Sequence, residues 1–219
     1  MLILVFDTET TGLIKNGASL YDTSNPYIMQ ISWLLYDTDQ NNIILSSNHY
    51  IALSEQTPIS IEAMKITGIT RDILETHGIP ILEALNTFDH AAKQADIIIA
   101  HNLSFDQKMI HIEYTRNGLI PLKITSPFKD KKTHCTMKTN VELCSIKKLS
   151  SSGKYYNKYP TLMELFKFLY KEEPLPLNLH NSLIDVLVCL RCYCILKMDT
   201  DVCETSESFK SLYSEMCKL

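Results

Sequence analysis

Hydrophobic positions divide the chain into short apolar runs at its start and helical periodicities further on. The first run, Leu2-Ile3-Leu4-Val5-Phe6, stops at Asp7-Thr8-Glu9-Thr10-Thr11-Gly12. A short, partly β-branched run closed by a turn-forming glycine predicts a buried strand. Residues 28–36 and 43–51 predict two more strands in an antiparallel meander, joined by turns rich in Asn, Asp, Ser and Gly. Residues 59–95 are helical in pieces, broken at Gly68 and at Gly78-Ile79-Pro80. Asp96-Ile97-Ile98-Ile99-Ala100 predicts a fourth buried strand, followed by a helix over 103–117 that Gly118 caps. Residues 120–152 are irregular, with one short strand near His134-Cys135. A helix over 161–171 places Leu162, Leu165, Phe166 and Leu169 on one face. The last long helix, 181–198, carries Leu183, Val186, Leu187 and Leu190 at helical spacing. Strands first and strand–helix alternation afterwards predict an α/β domain with a mixed sheet covered by helices. That arrangement brings the ends of the first and fourth strands near the final helix.

With 219 residues and 45% hydrophobic content, the chain suits one domain with a single sizeable core. Residues 1–199 read as that domain, and 200–219 as a polar C-terminal tail for which helix is one option. The net charge of −4 argues against a general polyanion binder, but its distribution does not. Residues 1–122 carry −8 and residues 172–219 carry −4, whereas 123–171 hold 11 lysines against Asp130, Glu142 and Glu164 and carry +8. A basic segment inside an acidic chain is either a solvated loop or a contact for nucleic acid. Seven cysteines without framework spacing read as small hydrophobes of a reduced core, including Cys189 and Cys192 within a helical pattern. The first run lacks a basic leader, no stretch reaches the roughly 18 apolar residues of a membrane helix, and Cys217 is misplaced for prenylation. The expectation is a soluble intracellular protein, cytoplasmic or nuclear, with no membrane partner.

The chemistry concentrates in four acids. Side chains on a strand alternate between its two sides, so Asp7 and Glu9 point the same way at the end of a wholly apolar strand. An acid–x–acid pair by itself is more often solvated surface. At a sheet end, where α/β proteins gather ligands, crowded carboxylates call for a shared divalent cation. Asp106 lies on the first turn of the helix after the fourth strand, where the helix dipole alone would favour an acid. Asp185 sits among Leu183, Ile184, Val186 and Leu187, and a carboxylate in such surroundings needs a partner or a metal. His180 precedes it by five residues, about 140° around a helix, so it belongs to the entering loop and not to the same helix face.

Three segments together resemble the motifs of the DEDD exonuclease superfamily. Phe6-Asp7-Thr8-Glu9-Thr10-Thr11-Gly12-Leu13 looks like the first, and His101-Asn102 through Asp106 like the second. His180-Asn181-Ser182-Leu183-Ile184-Asp185 looks like the third in its histidine form. The tyrosine subclass would carry Tyr where Asn181 stands, so the resemblance is to the DEDDh, DnaQ-like branch. Gln30-Ile31, Gly68-Ile69-Thr70, Cys135-Thr136-Met137 and Tyr159-Pro160-Thr161-Leu162 are also similar to the family. Two positions depart from many relatives: Thr67 replaces a histidine, and Cys135 replaces an aspartate.

The resemblance implies a ribonuclease H-like fold with a five-stranded mixed sheet flanked by helices. It implies two divalent cations, Mg²⁺ or Mn²⁺, held by Asp7, Glu9, Asp106 and Asp185. Asp7 would bridge both, Glu9 and Asp185 would serve the nucleophile side, and Asp106 the other. His180 would be the base that takes a proton from the attacking water. Hydrolysis would run 3′ to 5′ and release nucleoside 5′-monophosphates. Thr8, Thr10, Leu13, Asn102, Phe105 and His180 are the expected substrate contacts. Lysines within 129–158, interleaved with Tyr155, Tyr156 and Tyr159, are expected to hold phosphates and stack bases. The expected partner is a single-stranded 3′ end, DNA ahead of RNA, in free solution or beside a polymerase or replication complex. An RNA-trimming exonuclease and a non-catalytic nucleic-acid-binding or polymerase-tethering module are the alternatives.

Overall fold

A computed structural model describes residues 1–119, 126–171, 173, 174, 176 and 180–217. Residues 120–125, the start of the irregular basic stretch, lie outside the described residues.

Strand β1, Leu2–Thr10, runs on through the acidic motif to Thr10 and is central to the sheet. It pairs antiparallel with β2, Ile28–Asp37, which in turn pairs antiparallel with β3, Asn42–Ile51. On its other side β1 pairs in parallel with β5, Ile97–Ala100, and β5 pairs in parallel with β6, Lys132–Cys135. The sheet has six strands where five are expected, in the order β4-β3-β2-β1-β5-β6. The extra one is β4, Gly78–Ile79, parallel to the end of β3. Glycine is required there because a Cβ on Gly78 would run into the Leu74 carbonyl and the Ala52 backbone. The sequence reads Gly78-Ile79-Pro80 as a helix break, and the same break supplies an edge strand.

Helices α1 (Ile61–Thr67), α2 (Arg71–His77) and α3 (Ile81–Gln94) fill residues 61–94. Ser60 and Thr70 cap the first two, each side chain accepting a backbone N–H of the first turn. Helix α4, Leu103–Arg116, follows β5 directly. The basic segment is more ordered than its composition suggests. It contains a 3₁₀ turn (Lys138–Asn140), the short helix α5 (Val141–Cys144) and a separate hairpin, β7 (Lys147–Leu149) with β8 (Tyr155–Asn157). Helix α6, Leu162–Leu169, starts at a full capping box made by Thr161 and Glu164. Helix α7, Ser182–Met198, is buried at nearly every position from Ser182 to Cys194 because it lies between the sheet and the C-terminal helices. Those are α8 (Val202–Thr205) and α9 (Glu207–Cys217), and α9 adds Phe209, Tyr213 and Cys217 to the core. Residues 202–217 therefore pack on the domain and are part of its fold.

Alternation along β1 assigns each face its own core. Leu4 and Phe6 join Phe88, Ala91, Met109 and Ile110 of α3 and α4. Ile3 and Val5 join Ile184, Leu187 and Val188 of α7 on the opposite face. All seven cysteines are free, and Cys189, Cys192, Cys194 and Cys217 are buried hydrophobes. Among the described residues no helix is long and apolar enough to cross a membrane.

Candidate active site

The face assignment of β1 carries directly into its acidic end. Asp7 and Glu9 continue the side of Ile3 and Val5, toward α7, where Asp185 sits in the first turn. Thr8 continues the side of Leu4 and Phe6, toward α4, where Asp106 sits in the first turn. The Asp106 carboxylate is held from β1: the Thr8 backbone N–H donates to its Oδ1 at 3.1 Å and the Thr8 hydroxyl donates to the same oxygen at 2.8 Å. The sequence places Thr8 beside the substrate; its side chain is 6% exposed and is engaged with Asp106. Thr10 is similarly occupied, its hydroxyl donating to the Gly12 carbonyl at 2.7 Å. Leu13, by contrast, is 84% exposed, and Asn102 and Phe105 are partly exposed at the start of α4.

Carboxylate and imidazole ligand atoms of Glu9, His180 and Asp185 lie within 4.8 Å of one another. His180 has a left-handed backbone (φ 76°), a strained conformation for a residue with a side chain. Its N–H donates to Asp185 Oδ2 at 3.2 Å, which ties the entering loop to the helix it precedes. Asn181 caps α7 with a side chain that accepts the Leu183 N–H.

Beneath this loop lies a buried polar network. Gln30 and Ser32 of β2 stand opposite Glu9 and Asp7 in the sheet and are fully buried. The Gln30 amide nitrogen donates to Asn48 Oδ1 at 2.8 Å and to Asn181 Oδ1 at 3.4 Å, while its Oε1 accepts the Ser182 N–H at 3.3 Å. Ser32 and Ser182 share a hydroxyl–hydroxyl bond of 2.6 Å, and Ser32 also donates to Asn48. Ser32, Asn48 and Ser182 are absent from the expected site residues. Their readable trace was the i, i+2 polar pair Gln30 and Ser32 inside an otherwise apolar strand.

Burial pushes all four carboxyls up, and repulsion from neighbouring acids adds to it at Asp7, Glu9 and Asp185. Asp7 is raised far above the usual range by burial, then by Asp106, Asp185 and Glu9. Glu9 is raised to about 8 by burial, then by Asp185 and Asp106. Asp106 and Asp185 are each raised to about 7, chiefly by burial, against the hydrogen bonds from Thr8 and from the His180 N–H respectively. Four buried acids gathered at one sheet end offer an all-oxygen donor set, which as carboxylates fits hard divalent cations.

The exonuclease family model with the RNase T signature matches residues 4–193 and so spans the strand and the two helices that carry these acids. The chain belongs to this exonuclease family. Its DnaQ-like, DEDDh pattern lies on a ribonuclease H-like fold with a mixed sheet flanked by helices. The PolC-type DNA polymerase III of Streptococcus pneumoniae (strain D39) is 30% identical over 127 residues, which are 58% of this chain and 8% of that polymerase. The chain thus spans less than a tenth of the curated relatives it matches. Among solved structures, the zinc-bound form of the E. coli exonuclease I–single-stranded DNA complex has a TM-score of 0.68 at 16% identity, over 97% of this chain and 43% of that one. The nuclease domain of 3′hExo, a DEDDh family member bound to rAMP, has a TM-score of 0.60 at 15% identity, over 92% and 94%.

The segment His101-Asn102 through Asp106 has a supporting contact of its own. Buried His101 is held below the usual range, at about 4, by desolvation, and so stays neutral. Its Nε2 is 3.0 Å from the Pro160 carbonyl, which only accepts, so the proton sits on Nε2. Nδ1 then accepts from the Thr136 hydroxyl at 3.1 Å. Through His101 the second motif is fastened to the Cys135-Thr136-Met137 and Tyr159-Pro160 segments.

Proposed function

We propose that this domain is a metal-dependent 3′–5′ exonuclease that removes nucleoside 5′-monophosphates from single-stranded or frayed 3′ ends of DNA. The observation that carries the reading is the convergence of Asp7, Glu9, Asp106 and Asp185 on one sheet end, with His180 beside Glu9 and Asp185. Asp7, Glu9, Asp106 and Asp185 would hold two divalent cations, Mg²⁺ or Mn²⁺. Bound there, the cations would neutralise the phosphodiester and acidify the attacking water.

The rest of the chemistry falls to the chain's own groups. His180 is exposed and beside two of the acids, placed to take the proton of the attacking water, a role worth about 10²–10⁴ in rate. The bond from its N–H to Asp185 and the Asn181 cap orient the loop. Exposed Leu13 and partly exposed Phe105 offer apolar surface to the terminal base and sugar, and Asn102 offers an amide. DNA is favoured because the sequence relatives are DNA polymerases and the exonuclease I neighbour holds single-stranded DNA. The polymerase relatives also support a proofreading context. RNA trimming is the second reading, favoured by the near-complete mutual coverage with 3′hExo and its bound rAMP.

The test is a time course on 5′-labelled single-stranded DNA and RNA of one sequence with Mg²⁺, Mn²⁺ or EDTA. A metal-dependent descending ladder, faster on DNA and abolished by Asp7→Asn, is expected. Cleavage that survives Asp7→Asn would refute the site, and a faster RNA ladder would select the second reading.

A further inference from the structure

The β7–β8 hairpin stands apart from the six-stranded sheet and carries most of what is unusual about the basic segment. Its register sets Lys148 opposite Tyr156, so the two side chains share a face. The ladder continues with the Ser150 N–H donating to the Lys154 carbonyl, and alternation places Lys154 on that same face. One face thus presents Lys148, Lys154 and Tyr156, all exposed. Tyr155, on the other face, is 72% exposed, and Tyr159 just beyond the hairpin is 58% exposed.

Among the described residues, none of Lys147, Lys148 and Lys154 forms an ion pair, whereas Lys158 at the hairpin's foot is paired with Glu164. A solvated hairpin normally mixes charges of both signs and keeps its aromatic rings covered. This one concentrates like charge beside bare rings, a combination complementary to a polyanion with stackable bases.

The hairpin is also fixed with respect to the acids. At its foot the Lys158 N–H donates to the Ile146 carbonyl, and two residues on the Pro160 carbonyl accepts from His101 of the second motif. Its base is therefore anchored at the sheet end where the carboxylates converge. A site that consumes a 3′ end leaves only the upstream part of the strand for any surface outside it.

We propose that the β7–β8 hairpin holds the single-stranded DNA upstream of the 3′ terminus, Lys148 and Lys154 on phosphates and Tyr156 under a base. The assignment rests on the exonuclease reading above and extends it to a second contact surface.

The experiment compares the wild type with Lys148→Ala/Lys154→Ala/Tyr156→Ala on two substrates, a 20-nucleotide oligo-dT and the p-nitrophenyl ester of thymidine 5′-phosphate. The ester has no upstream nucleotide for the hairpin to hold. The variant is expected to raise KM for the oligonucleotide about tenfold, the scale of one lost base stack, with ester hydrolysis unchanged. Binding of fluorescent oligo-dT in EDTA should lose about 1.4 from its log–log salt slope, at about 0.7 per phosphate contact. Equal losses on both substrates, or an unchanged KM and salt slope, would overturn the proposal. A wild-type protein that cleaves neither substrate would instead overturn the exonuclease reading, and the salt slope would still decide the hairpin.

Discussion

Thr8→Val removes one hydroxyl and adds one methyl at a position 6% exposed, a near-isosteric change aimed at Asp106. Asp106 Oδ1 keeps the Thr8 N–H at 3.1 Å and loses the Oγ1 donor at 2.8 Å. A hydrogen bond to a charged group is worth about 1.5–3 kcal/mol, which is roughly 10- to 150-fold in an equilibrium. Removing a group that orients a metal ligand typically costs about 10–100-fold in metal affinity or activity, so two separate scales agree. The expected result is an apparent Mn²⁺ affinity weakened about 10–100-fold, with most of kcat recovered at saturating Mn²⁺. The assay is the initial rate on 5′-labelled oligo-dT across a Mn²⁺ titration, with Thr8→Ser as the variant that keeps the hydroxyl. Wild-type metal dependence in Thr8→Val, or equal damage in Thr8→Ser, would refute the clamp.

Two further outcomes follow from charge. In EDTA, Asp7, Glu9, Asp106 and Asp185 bind protons more tightly folded than unfolded, so stability is full below about pH 4 for this group. It falls as pH rises through about 7 to 8, and added Mg²⁺ or Mn²⁺ should remove that fall; Tm curves of equal slope with and without metal would contradict it. Arg191 is buried at 4% exposure, pairs with Glu173 at 2.5 and 2.7 Å and with Asp201, and lies 4.2 Å over the Tyr170 ring. Arg191→Ala leaves Asp201, 11% exposed, without its cationic partner, so a loss of about 3–5 kcal/mol, read as a Tm fall of roughly 10 °C, is expected with room-temperature activity retained. A fall under about 2 °C would show that the network is dispensable.

Much of this architecture was legible before the structure. Period-two alternation placed Asp7 and Glu9 on one side of β1, and the 140° offset placed His180 off the face of Asp185; both arrangements are present. The hairpin and the edge strand were not legible, because Lys147-Lys148-Leu149 and Gly78-Ile79 are too short and too polar or too flexible to carry a period. The bond between Thr8 and Asp106 was not legible for a specific reason. Motif resemblance groups Thr8 with its neighbours in sequence, but strand alternation turns its side chain to the opposite core from Asp7 and Glu9. The polar network was half legible: Gln30 and Ser32 signal a buried demand for partners, but only the tertiary fold reveals that Asn48, Asn181 and Ser182 meet it.

The site's composition follows from where β1 sits. Carboxylates on opposite faces of a sheet are kept apart by the sheet itself, except where a strand ends. β1 is parallel to β5, so their C-terminal ends lie side by side and α4, leaving β5, begins next to the end of β1. β1 is antiparallel to β2, so its end faces the early residues of β2, where Gln30 and Ser32 reach toward the start of α7. One face delivers Asp106 and the other delivers Asp185, and both meet Asp7 and Glu9 at the same end of the sheet. Moving β1 to an edge of the sheet, or reversing its direction relative to β5, would keep every acid and lose the cluster. The mixed topology is therefore the condition for the chemistry, since an all-antiparallel arrangement of the same strands would place Asp106 at the far end of the sheet.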